Sequence, residues 1–141
     1  MKRHEALAPL SREHHEALLL AQLLKKNAPA YKGLPETTGA KAAYAVNFYT
    51  TKLVTHFNIE EQILQKVKQY NGAIAALTAE IIQEHVQLAA MFNALHHSDD
   101  LADALDKTGT LLEAHIRKEE RVLFPLIQQY CPQEVLATIV W

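Results

Sequence analysis

The sequence predicts an all-α fold: an up-down-up-down antiparallel four-helix bundle with a short C-terminal helix. Three observations carry that expectation. Apolar residues recur at steps of three and four along four separate segments, the seam of a helix packed in a bundle. The 141 residues include only four Gly and five Pro, too few for the turns of an all-β domain. The breaks between segments are short, which favours antiparallel neighbours.

The first stripe runs Leu7, Leu10, His14, Ala17, Ala21, Leu24, Ala28. Residues 27–39 follow as a loop with two Pro and two Gly, and Thr37 or Thr38 is placed to cap the next helix. The second stripe runs Val46, Tyr49, Leu53, His56, Glu60, Ile63, Val67. Tyr70-Asn71-Gly72 is expected to be a tight turn, since Asn and Gly tolerate left-handed backbone angles. The third stripe is Ile74, Thr78, Ile81, His85, Leu88, Phe92, Leu95, after which Ser98-Asp99-Asp100 offers N-caps. The fourth is Leu101, Leu105, Thr108, Leu112, His115, Glu119, Val122, Leu126, with Pro125 expected to kink or end it. Cys131-Pro132 closes the bundle, and residues 133–141 are expected to form a tail helix on the core.

Length and apolar content fit one domain spanning residues 1–141. Fourteen basic residues against sixteen acidic ones give a net charge of −2, which argues against a nucleic-acid binder. No apolar run is long enough for a signal peptide or a membrane span, so a soluble, cytoplasmic protein with no membrane partner is expected. The single Cys131 makes neither an internal disulfide nor a zinc-thiolate site, and nothing near it in sequence lowers its pKa.

Eight histidines stand out in this cysteine-poor chain. Each stripe carries one of them where a core residue belongs. In an antiparallel hairpin, residues equally far from the turn lie side by side. The midpoint of His56 and His85 falls between Tyr70 and Asn71, that of His85 and His115 on Asp100, and that of His14 and His56 on Pro35. Four inward imidazoles therefore converge on one layer, ~20 Å from either end of the bundle at 1.5 Å rise per residue. Glu60 and Glu119 stand four residues after His56 and His115, on the same helix faces and in an adjacent layer.

Unpaired carboxylates are costly in a core, so the cluster needs a shared cation or a dense hydrogen-bond network. Imidazole with carboxylate and no thiolate suits iron, manganese, nickel or zinc, and two carboxylates can bridge two metals. From His15 the stripe runs to Leu18, Gln22 and Lys25, an outer edge, so His14 is the inward residue and His15 lies either just behind the cluster or at the surface. His4, His96 and His97 are expected at the surface or at helix ends. Glu61 and Glu120 are solvated, salt-bridged or alternative ligands, and Tyr49 packs in the core.

The chain also repeats itself. Glu13-His14 parallels Glu84-His85, and His56-x-x-x-Glu60-Glu61 parallels His115-x-x-x-Glu119-Glu120, the second running into Leu123-Phe124-Pro125. Through these paired motifs the sequence resembles the hemerythrin-like family, the HHE cation-binding domains, from about Leu10 to Pro132. The resemblance implies a four-helix bundle with a non-heme di-iron centre. It places the ligands on His14, His56, Glu60, His85, His115 and Glu119, with Glu60 and Glu119 bridging two iron ions. Oxygen-carrying hemerythrins have a second histidine one turn away on the third helix, where this chain has Ile81 and Ala89. That leaves six ligands where the carrier has seven. The ferritin-like alternative needs Glu-x-x-His pairs, and none occurs.

The expected function is binding of a small ligand, oxygen or nitric oxide, for sensing, iron handling or stress protection. Leu53, Ile81, Leu88, Leu112 and Val122 are expected to keep the site dry. The alternatives are a di-metal oxidase or peroxidase, for which no substrate pocket or second cofactor motif is evident, and a metal-free structural or signalling bundle held by imidazolium–carboxylate pairs.

Overall fold

The computed structural model describes residues 2–139, and among them the chain is helical with no strand. Helix α1 spans Ala8–Leu23. The second rod comprises α2 (Thr38–Phe48), a π-helical turn (Tyr49–Leu53) and α3 (Val54–Val67). The third is α4 (Gly72–Ala94). The fourth is α5 (Leu101–Lys118), a second π turn (Glu119–Leu123) and α6 (Phe124–Tyr130), followed by the short α7 (Gln133–Leu136). Among the described residues, no helix is long and apolar enough to cross a membrane.

The caps follow the side chains available. Thr37 accepts from the Ala40 amide, Asn71 from those of Ala73 and Ile74, and Asp100 from that of Asp103. Asn71 differs from its expected left-handed turn geometry. Its φ of −165° is extended, because it serves as the N-cap of α4, and Gly33 is the only described residue with positive φ. The tail helix is shorter than expected: α7 ends at Leu136, and residues 140 and 141 lie outside the described residues.

Pro125 neither breaks nor ends its helix. It sits in the first turn of α6, where no intrahelical donor is required, and the helix runs on to Tyr130. Just upstream, the Phe124 amide reaches back five residues to the Glu119 carbonyl, widening the turn. The extra residue rotates the inward face by one position. Leu123 and Ile127 are buried, and Val122, expected inside, is 45 % exposed. The turn at Tyr49–Leu53 has the same effect on α2, where Ala45 rather than Val46 is fully buried.

Two apolar clusters fill the bundle. One joins Leu20, Ala45, Phe48, Leu88, Phe92, Leu105 and Leu112 at the end where α1 finishes and α5 begins. The other joins Leu7, Leu10, Leu64, Ile74, Ile81, Phe124 and Ile127 at the opposite end. Gly109 lets α1 approach α5 closely, since a Cβ there would stand 2.6 Å from the Ala21 carbonyl oxygen.

Candidate metal centre

Between the two apolar clusters lies a polar layer. It contains His14 from α1, His56 and Glu60 from α3, His85 from α4, His115 from α5 and Glu119 at the start of the second π turn. All six are at most 4 % exposed, and both carboxylates are at 0 %. The His14 and His56 rings are 4.9 Å apart between centroids, and the His85 and His115 rings 5.0 Å. The structure thus brings together every residue that the sequence assigned to the site. His15, His96 and His97 are exposed, and His4 is half-buried outside the layer.

Two trios share Glu60: His14, His56 and Glu60, and Glu60, His85 and His115, with ligand-type atoms within 4.8 Å of one another. Glu60 divides its oxygens between them. Oε2 lies 3.6 Å from His56 Nε2 and 4.0 Å from His14 Nε2, and Oε1 lies 2.9 Å from His85 Nε2. Glu119 Oε1 stands between the trios on the other side, 2.9 Å from His115 Nε2 and 3.6 Å from His14 Nε2. Each trio could hold a cation, with Glu60 common to both and Glu119 beside them.

The outward ring nitrogens are all engaged. Glu13 meets His56 Nδ1 at 3.1 Å, Glu61 meets His85 Nδ1 at 2.7 Å, Glu84 meets His115 Nδ1 at 2.7 Å and Glu120 meets His14 Nδ1 at 2.6 Å. The pairs close a ring around the bundle: α1 to α3, α3 to α4, α4 to α5, and the fourth rod back to α1. A carboxylate only accepts, so each Nδ1 donates its hydrogen outward and each ring turns its Nε2 toward the centre. Sequence reasoning assigned no role to Glu13 and Glu84. The signal was present in the repeated Glu-His pair, because the glutamate beside one histidine points to the histidine of the next helix.

Electrostatics sharpen the picture. Burial disfavours a charged His56, but Glu13 and Glu60 outweigh it and raise its pKa to about 10. Burial and the facing Glu60 charge push the Glu119 carboxyl well above the usual range. Burial opposes Glu60 too, but the neighbouring Glu119 carboxyl and the His56 and His85 imidazoles hold it well below that range. The hydrogen bond to His115, with Lys118 beyond it, brings Glu84 down to about 2 against the cost of partial burial.

Apolar and aromatic side chains close the layer. Phe57 stacks on His85 at 4.0 Å, and Phe124 stacks on His14 at 5.8 Å. Leu53, Ile81, Leu88 and Leu112 are buried as expected, and Val122 takes no part. Tyr49 stacks on Phe92 at 5.0 Å, a core role. A cleft of about 190 Å³ between α3 and α4 reaches His85 and is lined also by Tyr49, Phe57, Glu61, Val86 and Ala89. Ile81 and Ala89 place no nitrogen at the site.

The donor set fits a cation. Among the described residues, every buried side-chain nitrogen or oxygen without a hydrogen-bond partner belongs to this layer, except the Thr78 hydroxyl. The orphans are Nε2 of His14 and His115, Oε2 of Glu60 and both oxygens of Glu119. Such atoms are expensive to bury unless something else satisfies them. Imidazole nitrogens and carboxylate oxygens together suit iron, manganese, nickel or zinc. The family model of the hemerythrin HHE cation-binding domain matches residues 5–127. Comparison with curated proteins and with solved structures gives no significant match.

Proposed function

The chain belongs to the hemerythrin HHE cation-binding family, and on that premise we propose that it holds a non-heme di-iron centre that binds oxygen or nitric oxide. The ligands are His14, His56, Glu60, His85, His115 and Glu119. The observation that carries this reading is the set of orphaned ligand atoms inside a closed ring of imidazole–carboxylate pairs. Two ferrous ions, when bound, supply electrons and coordination positions for a diatomic ligand.

The residues of the chain do the rest. His14 and His56 serve one position, His85 and His115 the other, and Glu60 and Glu119 reach both. The four outer glutamates fix the ring orientations and keep the imidazoles good donors. Phe57, Phe124, Ile81 and Leu112 exclude water. The cleft beside Ala89 gives a small ligand a path to the His85 side. With six ligands rather than the carrier's seven, a bound metal would have an extra position open. These properties suit sensing, iron handling or protection from nitrosative stress.

The test is the absorption spectrum of iron-reconstituted protein before and after exposure to oxygen or nitric oxide. New ligand-to-metal bands are expected in wild type and not in Glu119→Ala. A spectrum that neither gas alters contradicts the proposal.

A further inference from the structure

We propose that Arg3, on the segment preceding α1, is a positioning residue for the His14 side of the centre; this rests on the metal-binding reading above. Its guanidinium meets both groups that touch the outer side of the His14 ring. It donates to the Glu120 backbone carbonyl at 3.0 Å and pairs with Glu120 Oε1 at 3.2 Å. It also lies 5.4 Å from the centre of the Phe124 ring. Glu120 in turn holds His14 Nδ1 at 2.6 Å, and Phe124 lies parallel to the His14 ring with 10° between planes. Ser11 donates to both oxygens of Glu120, at 3.0 and 2.8 Å.

Arg3 is itself held in place. The His4 amide donates to Gln128 at 2.7 Å, and Gln128 donates back to the Lys2 carbonyl at 3.0 Å. His4 Nε2 meets Gln133 at 3.1 Å, and Ala6 and Leu7 are buried in the apolar cluster. The segment is thus strapped to α6 and α7, and its Arg3 faces the His14 assembly. The planar guanidinium suits this double task, since it can form hydrogen bonds in its plane and stack through its face. A lysine keeps the charge and loses that geometry. None of the other three outer glutamates has an arginine partner among the described residues. Outer hydrogen-bonding partners of ligand histidines tune metal affinity, and Arg3 acts through such a partner.

The experiment is a titration of the full-length, metal-free protein with Co(II), read by its visible bands, for wild type, Arg3→Ala, Arg3→Lys, Glu120→Gln and Arg3→Ala/Glu120→Gln. Arg12→Ala, an exposed change elsewhere on α1, is the control. Wild type is expected to take up two equivalents. Arg3→Ala is expected to weaken one of them by about tenfold and change its bands, with the other equivalent and the metal-free Tm unchanged. Arg3→Lys recovers part of the loss, and Arg3→Ala adds little in the Glu120→Gln background. Two equivalents with unaltered affinities and bands in Arg3→Ala overturn the proposal. Equal weakening of both with a lower metal-free Tm also overturns it, because that marks a merely structural residue. If wild type takes up no Co(II), the metal-binding reading itself fails.

Discussion

The two helical hairpins carry the same proposed ligands, yet they support them differently. In the first hairpin, Glu13 holds His56 at 3.1 Å from a half-exposed position and has no lysine or arginine partner among the described residues. In the second, Glu84 holds His115 at 2.7 Å, is only 17 % exposed and is clamped by Lys118 at 2.6 Å. The position matching Lys118 in the first hairpin is Ile59. Glu120 and Glu61 differ in the same way. Arg3 and Ser11 hold Glu120, and Ile82 stands where the repeat would put a second Ser11. The duplicated motif sets the proposed ligands, and unrepeated residues decide how firmly each is held. His14 and His115, the pair flanking Glu119, are the firmly held ones. His56 and His85 are the loosely held pair, and the His85 side opens to the α3–α4 cleft.

The largest effect tests what the hairpins share. Glu119→Ala removes a carboxylate that faces both trios and is expected to abolish most metal uptake, measured as metal content after reconstitution. Retention of two equivalents would deny that shared role. The next separates the hairpins. Glu84→Ala is expected to weaken metal binding by about 100-fold and Glu13→Ala by about tenfold, the two ends of the usual range for such partners. Equal losses in competition titrations would erase the distinction.

A third test concerns packing in the second hairpin. Gly109→Ala places a methyl 2.6 Å from the Ala21 backbone and 3.0 Å from Leu24 Cβ. Overpacking against backbone has no rotamer escape, so thermal melts are expected to show a loss of about 1–3 kcal/mol. An unchanged Tm would mean that α1 and α5 separate freely.

The clamped pair also predicts a pH dependence. Glu84 falls from its ordinary 4.5 to about 2 on folding. Its contribution is therefore full above about pH 4.5 and is lost as the pH falls toward 2. Acid unfolding of metal-free Glu84→Gln should show a shallower decline over that interval than wild type. The smallest effect is His96→Ala. This exposed residue lies outside the layer, and metal content should match wild type.

Much of this was legible in the sequence. The 3-4 steps located all four rods, and the hairpin midpoints brought the four histidines to one level, with Glu60 and Glu119 in the adjacent layer. The two misplaced valines share a cause. Each π turn adds a residue, so a strict helical step placed Val122 and Val46 on the inner face in place of Leu123 and Ala45. No local signal marks such a turn, except that Pro125 just beyond the second fits its widened geometry. Asn71 was read by turn propensity, and the need of α4 for an N-cap decided its conformation. The outer glutamates were missed because each serves a histidine on a different helix, and sequence spacing within one helix does not reveal that pairing. Arg3 and Lys118 have no counterpart in the repeat to draw attention to them.

The central claim is that the buried layer holds two cations between Glu60 and Glu119. Its most direct test is an anaerobic titration of metal-free protein with Fe(II), read by equilibrium dialysis. Two equivalents bound per chain are the predicted result. Fewer than one equivalent would contradict the account.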